Sequence, residues 1–432
     1  MRRHHIVAIA VACFVIVCAS PVLAQQNVAA ESTGGPPSAS NASSSTSAAS
    51  PAPPAPREWF GVGPKWSTWS RMTGDWNRAR TTIENRGLSF ELTSSSDGSG
   101  LGMWSSGVGG FGRNLMTAGL TFDFEKLAGL KGSRALVQYQ TLGGLNGPLE
   151  FSSVQAFSNI DADPFRRFAE VWFEQQVGAK LRVKTGLIDA NTEFACLDNT
   201  GDFINSSMGY SPTVFPLPTY PDPHFGLVVH VDPTERTYAS AGVFNGGPAM
   251  GVRDFDALFA VGEAGLRWNT RGGGRIGVGY WRVGGQQAEQ DAELNDVIRP
   301  VSTGGQYVVF DQTLWSRERN GIERSVGAFF QAGLADPRLS ATSSHIGAGL
   351  VGRGLVGGRP DDTIGIGVTF VGVAAPTPED PGGREIAVEA FHRFALTKWV
   401  GLKPDVQFIR TPLGTPGRRV MVAGTVRIEV VF

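Results

Sequence analysis

The run FAEVWFEQQV-GAK-LRVKTGLIDA, residues 168–190, decides the fold. Its side chains change character with a period of two. Val171, Phe173 and Val177 fall on one parity, and Glu170, Trp172, Glu174 and Gln176 on the other. Beyond Gly178-Ala179-Lys180, Val183 and Leu187 alternate with Arg182, Lys184 and Gly186. Successive side chains of an extended strand point to opposite faces, so this is strand periodicity and not helical spacing. A three-residue turn keeps both charged sets on one face: Gln176 opposes Arg182, Glu174 opposes Lys184 and Trp172 opposes Gly186. One face is then apolar, while the other carries both signs of charge and an indole. Such a hairpin suits a wall with lipid outside and water inside.

The same period recurs from Leu88 to Phe432. About sixteen segments start near Leu88, Leu115, Ser133, Phe168, Leu181, Pro223, Thr237, Phe259, Arg275, Gln306, Ser325, Ser344, Thr363, Arg384, Val400 and Arg419. The last one alternates Val426, Ile428, Val430 and Phe432 with Arg427 and Glu429. Connections at 178–180, 232–235 and 395–398 are short, whereas those at 142–167 and 191–222 are long. Short turns on one side and long loops on the other belong to outer-membrane barrels, and an even strand count puts both termini on the periplasmic side. A soluble β-sandwich or β-helix also alternates, but it needs neither this rhythm nor a final aromatic. Mean hydropathy is −0.07 and no apolar run after the N-terminus is long enough for a spanning helix, which excludes a helical membrane protein but not a barrel. Net charge is −1, too little basic character for a nucleic-acid partner. The expectation is all-β: a transmembrane antiparallel up-and-down β-barrel in a lipid bilayer, preceded by a short helix and a disordered tail.

The N-terminus fixes the compartment. Arg2 and Arg3 precede an apolar run from Ile6 to Ala19, and Val22-Leu23-Ala24 offers small residues for a signal peptidase. Residues 1–24 read as a cleaved signal peptide. A lipoprotein is the rival, but neither Cys13 nor Cys18 has the Leu-x-small pattern ahead of it. Cys196 is then the only thiol left, so no internal disulfide is expected. Residues 25–56, rich in Ser, Ala and Pro, read as a disordered periplasmic tail. Within 57–87, Thr73 or Asp75 can cap a helix carrying Trp76, Ala79, Arg80 and Ile83, and Gly87 ends it. That helix is expected to plug the barrel or lie under it, and residues 88–432 form the wall.

Several stretches resemble the carbohydrate-selective porin (OprB-type) family. They are Met72-Thr73-Gly74-Asp75-Trp76, Asn85-Arg86-Gly87-Leu88-Ser89-Phe90, Phe122-Asp123-Phe124-Glu125-Lys126-Leu127, Gly186-Leu187-Ile188-Asp189-Ala190, Asp202-Phe203-Ile204-Asn205, Tyr220-Pro221 and Lys403-Pro404-Asp405-Val406-Gln407-Phe408. Each is weak alone; their order from about Trp66 to Phe432 is specific. The match is poorer over 249–320. The resemblance implies a sixteen-stranded outer-membrane porin giving small sugars passive passage into the periplasm. An ion-selective or general porin, and a barrel that merely anchors a scaffold or adhesin, are the alternatives. Phe432 resembles the terminal aromatic that outer-membrane assembly machinery reads, and homo-oligomers stay open.

No catalytic constellation is legible. His224, His230, His345 and His392 are scattered, Gly98–Gly102 follows no strand-to-helix pattern, and Asp198–Asp202 reads as a solvated loop more readily than a calcium site. No enzyme, cofactor or metal is expected. The loop 191–222 counts as the third external loop, the one that in general porins folds inward. Its prolines Pro212, Pro216, Pro218 and Pro221 stiffen it, and it carries Asp202 and Asn205; a cap on the outer surface is the other reading. Candidate pore-lining residues are Glu170, Trp172, Glu174, Arg182, Lys184, Asp189, Asp202 and Asn205. Charged residues that only solvate a wet wall are the plain alternative. The sharper expectation is a carboxylate–indole–carboxylate face on which a sugar ring covers Trp172.

Overall fold

A computed structural model describes residues 57–432 apart from 104–105, 146–152, 247–257, 291–295, 320, 338–339, 341, 374–381 and 412–419. The assignments at 1–24 and 25–56 lie outside the described residues. Sixteen strands follow one another: β1 (Leu88–Met103), β2 (Ser106–Asp123), β3 (Ser133–Gly144), β4 (Phe165–Val177), β5 (Leu181–Ile188) and β6 (His224–Thr234). Next come β7 (Thr237–Asn245), β8 (Leu258–Trp268), β9 (Gly274–Gln290), β10 (Asp296–Arg319) and β11 (Ile322–Ala335). The chain ends with β12 (Thr342–Arg353), β13 (Thr363–Val373), β14 (Gly383–Ala395), β15 (Val400–Arg410) and β16 (Val420–Val431). Each strand pairs with its chain neighbours, and β1 pairs antiparallel with β16, so the sheet closes. Closure removes the unpaired edges that no membrane tolerates.

Fourteen of these strands start within three residues of the expected positions. The exceptions are β2, expected at Leu115, and β10, expected at Gln306; both begin earlier. The glycines of 107–112 give no alternation to read, yet main-chain pairing with β1 needs no side chains, and Gly110 lies opposite Gly100. Pro300 argues against a central strand, yet β10 carries it opposite Gln286 of β9. Alternation sets the two faces. On β16, Met421, Ala423, Thr425 and Arg427 are buried, while Val422, Val426 and Ile428 are exposed. On β4 a bulge at Ala169 resets the parity: Glu170 pairs with Gln138 and Phe168 with Tyr139. Phe168 therefore faces outward against the edge of Tyr139, 5.5 Å between ring centres.

The N-terminal helix, α1 (Ala79–Asn85), is shorter than expected. Trp76, Asn77 and Arg78 precede it with φ of 50°, 56° and 75°, so Trp76 lies outside the regular turns. Arg78, not Thr73 or Asp75, holds the cap position, without a side-chain cap bond; Asp75 instead accepts the N–H of Thr81 in the first turn, 2.9 Å. Gly87 ends it at φ +100°, where a Cβ would lie 2.6 Å from the carbonyl of Asp123. The helix sits at the rim that carries both termini, against β1, and not in the lumen. Its buried Arg80 donates to the carbonyls of Phe90 on β1 and of Phe432, which follows β16. A second short helix, α2 (Phe124–Ala128), fills the turn between β2 and β3, with Asp123 accepting the N–H groups of Glu125 and Lys126. No described helix is long and apolar enough to cross a membrane. The largest cluster of buried apolar side chains lies inside the barrel, and it brings loop and wall together.

Candidate functional site

Residues 189–223, between β5 and β6, fold into the lumen. Their apolar side chains Phe194, Leu197, Phe203, Met208, Val214 and Leu217 pack on inward residues of the wall that include Phe244, Trp281, Tyr307 and Phe391. Phe203 meets Phe391 edge-on, 5.0 Å between centres. A buried loop without sheet partners must satisfy its main chain elsewhere. Here wall carboxylates accept it: Glu263 takes the N–H of Ala195 at 3.0 Å, and Asp311 takes Asp198 and Asn199 at 2.7 and 3.1 Å. Glu389 takes Ile204 and Asn205 at 2.6 and 3.0 Å. Gln331 donates to the carbonyls of Ser207 and Met208 in a short helix, α3 (Ser206–Gly209).

A second segment, 153–164, also enters the lumen, which sequence reading missed. Glu385 accepts the N–H groups of Val154 and Gln155, and Gln407 donates to the carbonyl of Phe157. The two loops hold each other through Asn159 N–H to the Ile204 carbonyl, 2.6 Å, and Ser206 N–H to that of Ala156, 2.9 Å.

On β4 and β5, Trp172 lies opposite Gly186, Glu174 opposite Lys184 and Gln176 opposite Arg182. Gly186 has φ +133°, and a Cβ there would stand 2.2 Å from the Val171 carbonyl. The face differs from an open carboxylate–indole–carboxylate surface. Glu193 arrives from the inward loop and takes Arg182 at 2.6 and 3.2 Å together with Lys184. Arg182 also holds Glu174 at 2.9 Å. The Lys184 ammonium stands 4.3 Å from the Trp172 ring centre, where a sugar face would have to lie. Glu170 is buried, with its oxygens taken by Gln138 (2.9 Å) and the Trp172 indole N–H (3.0 Å). Burial alone would raise the Glu193 carboxyl; Lys184 and Arg182 outweigh it and hold the group down at about 2.

The three remaining candidates belong to loop docking. Asp189 accepts the N–H groups of Asn191 and Tyr220 at 2.9 and 3.4 Å, and burial raises its carboxyl above the ordinary range. Asp202 meets Lys403 at 3.3 Å and Arg393 at 3.6 Å, and both cations also hold Glu429. Asn205 caps α3 and donates to Gln407 at 3.0 Å. Thus Glu170, Trp172, Glu174, Arg182 and Lys184 form one patch with Asp189 beside it, while Asp202 and Asn205 sit against β14 and β15.

Sequence reading also missed a series of wall cations: Arg275, Arg353, Arg393, Lys403 and Arg427. With Arg182 and Lys184, each lies near the terminal-rim end of its strand. Arg275 reaches the Cys196 carbonyl and lies 3.6 Å from Glu263; Arg353 donates to Asn199 at 3.0 Å; Arg427 grips Asp97 at 2.7 and 2.9 Å. The signal was available in part, since Lys403-Asp405-Gln407 and Arg427-Glu429 repeat at the inward spacing. Among the described residues no group of His, Cys, Asp and Glu is arranged to hold a metal ion.

Comparisons with known proteins follow the same lines. A family description, carbohydrate-selective porin, OprB family, matches residues 114–432. A high-pH structure of Pseudomonas putida OprB superposes with a TM-score of 0.74 at 19% identity, covering 85% of this chain and 100% of that one. A low-pH structure of the same protein gives 0.58 at 17% identity, covering 84% and 99%. No curated protein sequence matches.

Proposed function

The chain belongs to the carbohydrate-selective porin, OprB family, and from that premise we propose how its lumen treats a sugar. It is a sugar channel of the Gram-negative outer membrane, so passage is diffusive and the residues to explain are those that shape the route. In our reading the two inward loops set the constriction, and the patch of Trp172, Glu174, Arg182 and Lys184 lines the way past it. The observation that carries this is the mutual pairing of Arg182 and Lys184 with Glu174 and Glu193. Paired charges offer many donors and acceptors while presenting little net field. A neutral polyol can then exchange its water for wall contacts without competing against a mobile ion. Each contact is weak, roughly 0.5–1.5 kcal/mol, which suits a channel that must release its solute.

The reading extends to residues 1–56 and to Phe432. Export through a signal peptide cleaved after Ala24, a tail at 25–56 that only tethers, and recognition of Phe432 by assembly machinery complete the proposal; no catalytic step is part of it. The experiment is a planar bilayer holding the purified protein. Stepwise conductance should be reduced by small neutral sugars, and the reversal potential in a salt gradient should stay small. Conductance indifferent to sugar, together with strong ion selectivity, would replace this reading with an ion-selective porin. Absence of conductance steps would favour the anchoring scaffold.

A further inference from the structure

We propose that the outer wall over β11–β14 is a binding site for one phosphorylated glycolipid of the outer leaflet. Even-numbered residues of these strands face outward, and on most of the wall they form a continuous apolar surface. Here the surface is interrupted by small side chains. Ala332 and Gly372 floor a hollow of about 740 Å³ between ridges made by Leu334, Ile346 and Phe370. Immediately along the same strands a second hollow of about 440 Å³ is floored by Ala328 and Ala348. Together they make a furrow running down the wall. Liquid tails passing over a furrow leave its floor without contacting atoms, and that loses dispersion energy on both sides. One acyl chain seated lengthwise restores those contacts.

The upper end of the furrow decides what that chain belongs to. Arg384 is the second residue of β14, in register with Gly372, at the rim opposite the termini and therefore at the extracellular surface. It is exposed, and among the described residues no carboxylate lines either hollow. Among the described residues no ion pair is formed by Arg384. A guanidinium in this position matches a phosphate in two-pronged geometry. Ser344 and Gln306 line the same hollow; their hydroxyl and amide suit the hydroxyls of a sugar headgroup. Arg384, Ser344 and Gln306 share one register row across β14, β12 and β10. A phosphate and sugar hydroxyls side by side along that row, with an acyl chain below it, describe a phosphorylated glycolipid rather than a simple phospholipid.

The test is native mass spectrometry of the full chain in detergent, after delipidation, titrated separately with lipid A and with phosphatidylglycerol. The parent should retain one lipid A, and phosphatidylglycerol about tenfold more weakly. Arg384→Gln should weaken lipid A retention about tenfold, the loss of one charge-assisted contact pair, and Ala332→Phe should abolish it by filling the furrow. Heat-modifiable migration confirms that each variant is a closed barrel; should Ala332→Phe fail to assemble, Arg384→Gln, a surface change, carries the test alone. Sugar block of the current should match the parent in both, because neither residue faces the lumen. Equal retention by parent and variants, or equal retention of the two lipids, overturns the proposal. So does a dimer signal that Ala332→Phe removes while lipid binding persists, since that assigns the furrow to a second copy.

Discussion

At Lys184 one ammonium serves three neighbours: Glu193, Glu174 at 3.7 Å and the Trp172 ring. Lys184→Met should shift ion preference toward cations, and Glu174→Gln toward anions. Trp172→Ala should weaken sugar block two- to tenfold, about one hydrogen bond, because the ring that holds the Lys184 ammonium in place is gone, with open conductance held or raised. Reversal potentials and current block in the same bilayer check all three, and unchanged values in all three would move the route off this patch. Glu193 adds a pH dependence. Its carboxyl is depressed to about 2 from 4.5, so its contribution to loop docking is fully present above 4.5 and is lost as pH falls through 2. The difference is roughly 3 kcal/mol. After correction for the intrinsic exchange rate, the protection of residues 189–223 that Glu193→Gln removes should therefore be constant from pH 7 to 5 and should shrink below about 4. Loosening that begins near pH 6 would implicate other groups. Glu193 also marks where sequence reading stopped. Period two places Arg182 and Lys184 opposite Gln176 and Glu174, but nothing local brings residue 193 back onto that face.

Elements differ in how legible they are, for physical reasons. Most strands announce themselves through alternation, because one face meets lipid and the other meets water. Stretches without side-chain contrast, such as Gly107–Gly112, do not, and β2 therefore begins before its alternation does. The inward loops are the least legible of all. Their docking depends on Glu263, Asp311, Glu385 and Glu389, which are far apart in sequence and are aimed at the loops only by closure of the sheet. Replacing Glu389 by Gln tests this arrangement. The amide keeps one acceptor and turns its NH₂ toward one of the two N–H donors, which should cost about 1–3 kcal/mol of docking. Limited proteolysis from the extracellular side should then cut within 189–223, and current noise should rise. An intact loop with parental noise would mean that the apolar cluster around Phe203 suffices.

For the molecule as a whole, the vulnerable line is the seam between β1 and β16, the last pair that closure forms. The N-terminal segment bridges it. Arg80 touches carbonyls on both sides, and the Met72 N–H reaches the Val431 carbonyl at 2.8 Å. Unboiled protein should migrate differently from boiled protein in SDS, and Arg80→Met should lower the temperature of conversion by several degrees while leaving conductance unchanged. A conversion temperature equal to the parent's would reduce this segment to a passive appendage. Deleting Phe432, whose N–H also pairs with the Leu92 carbonyl, should sharply reduce the heat-modifiable fraction. Normal assembly without it would remove the proposed terminal signal.

Where the wall grips the inward loop through main-chain N–H groups, the side chains at those positions are freer to vary than the path. Asp198 shows this: its N–H is anchored on Asp311, and its own identity is not what the anchor reads. Natural drift can therefore change what meets the solute without first finding a new way to hold the loop. Lineages built on this barrel can diversify in diet while their scaffold stands still.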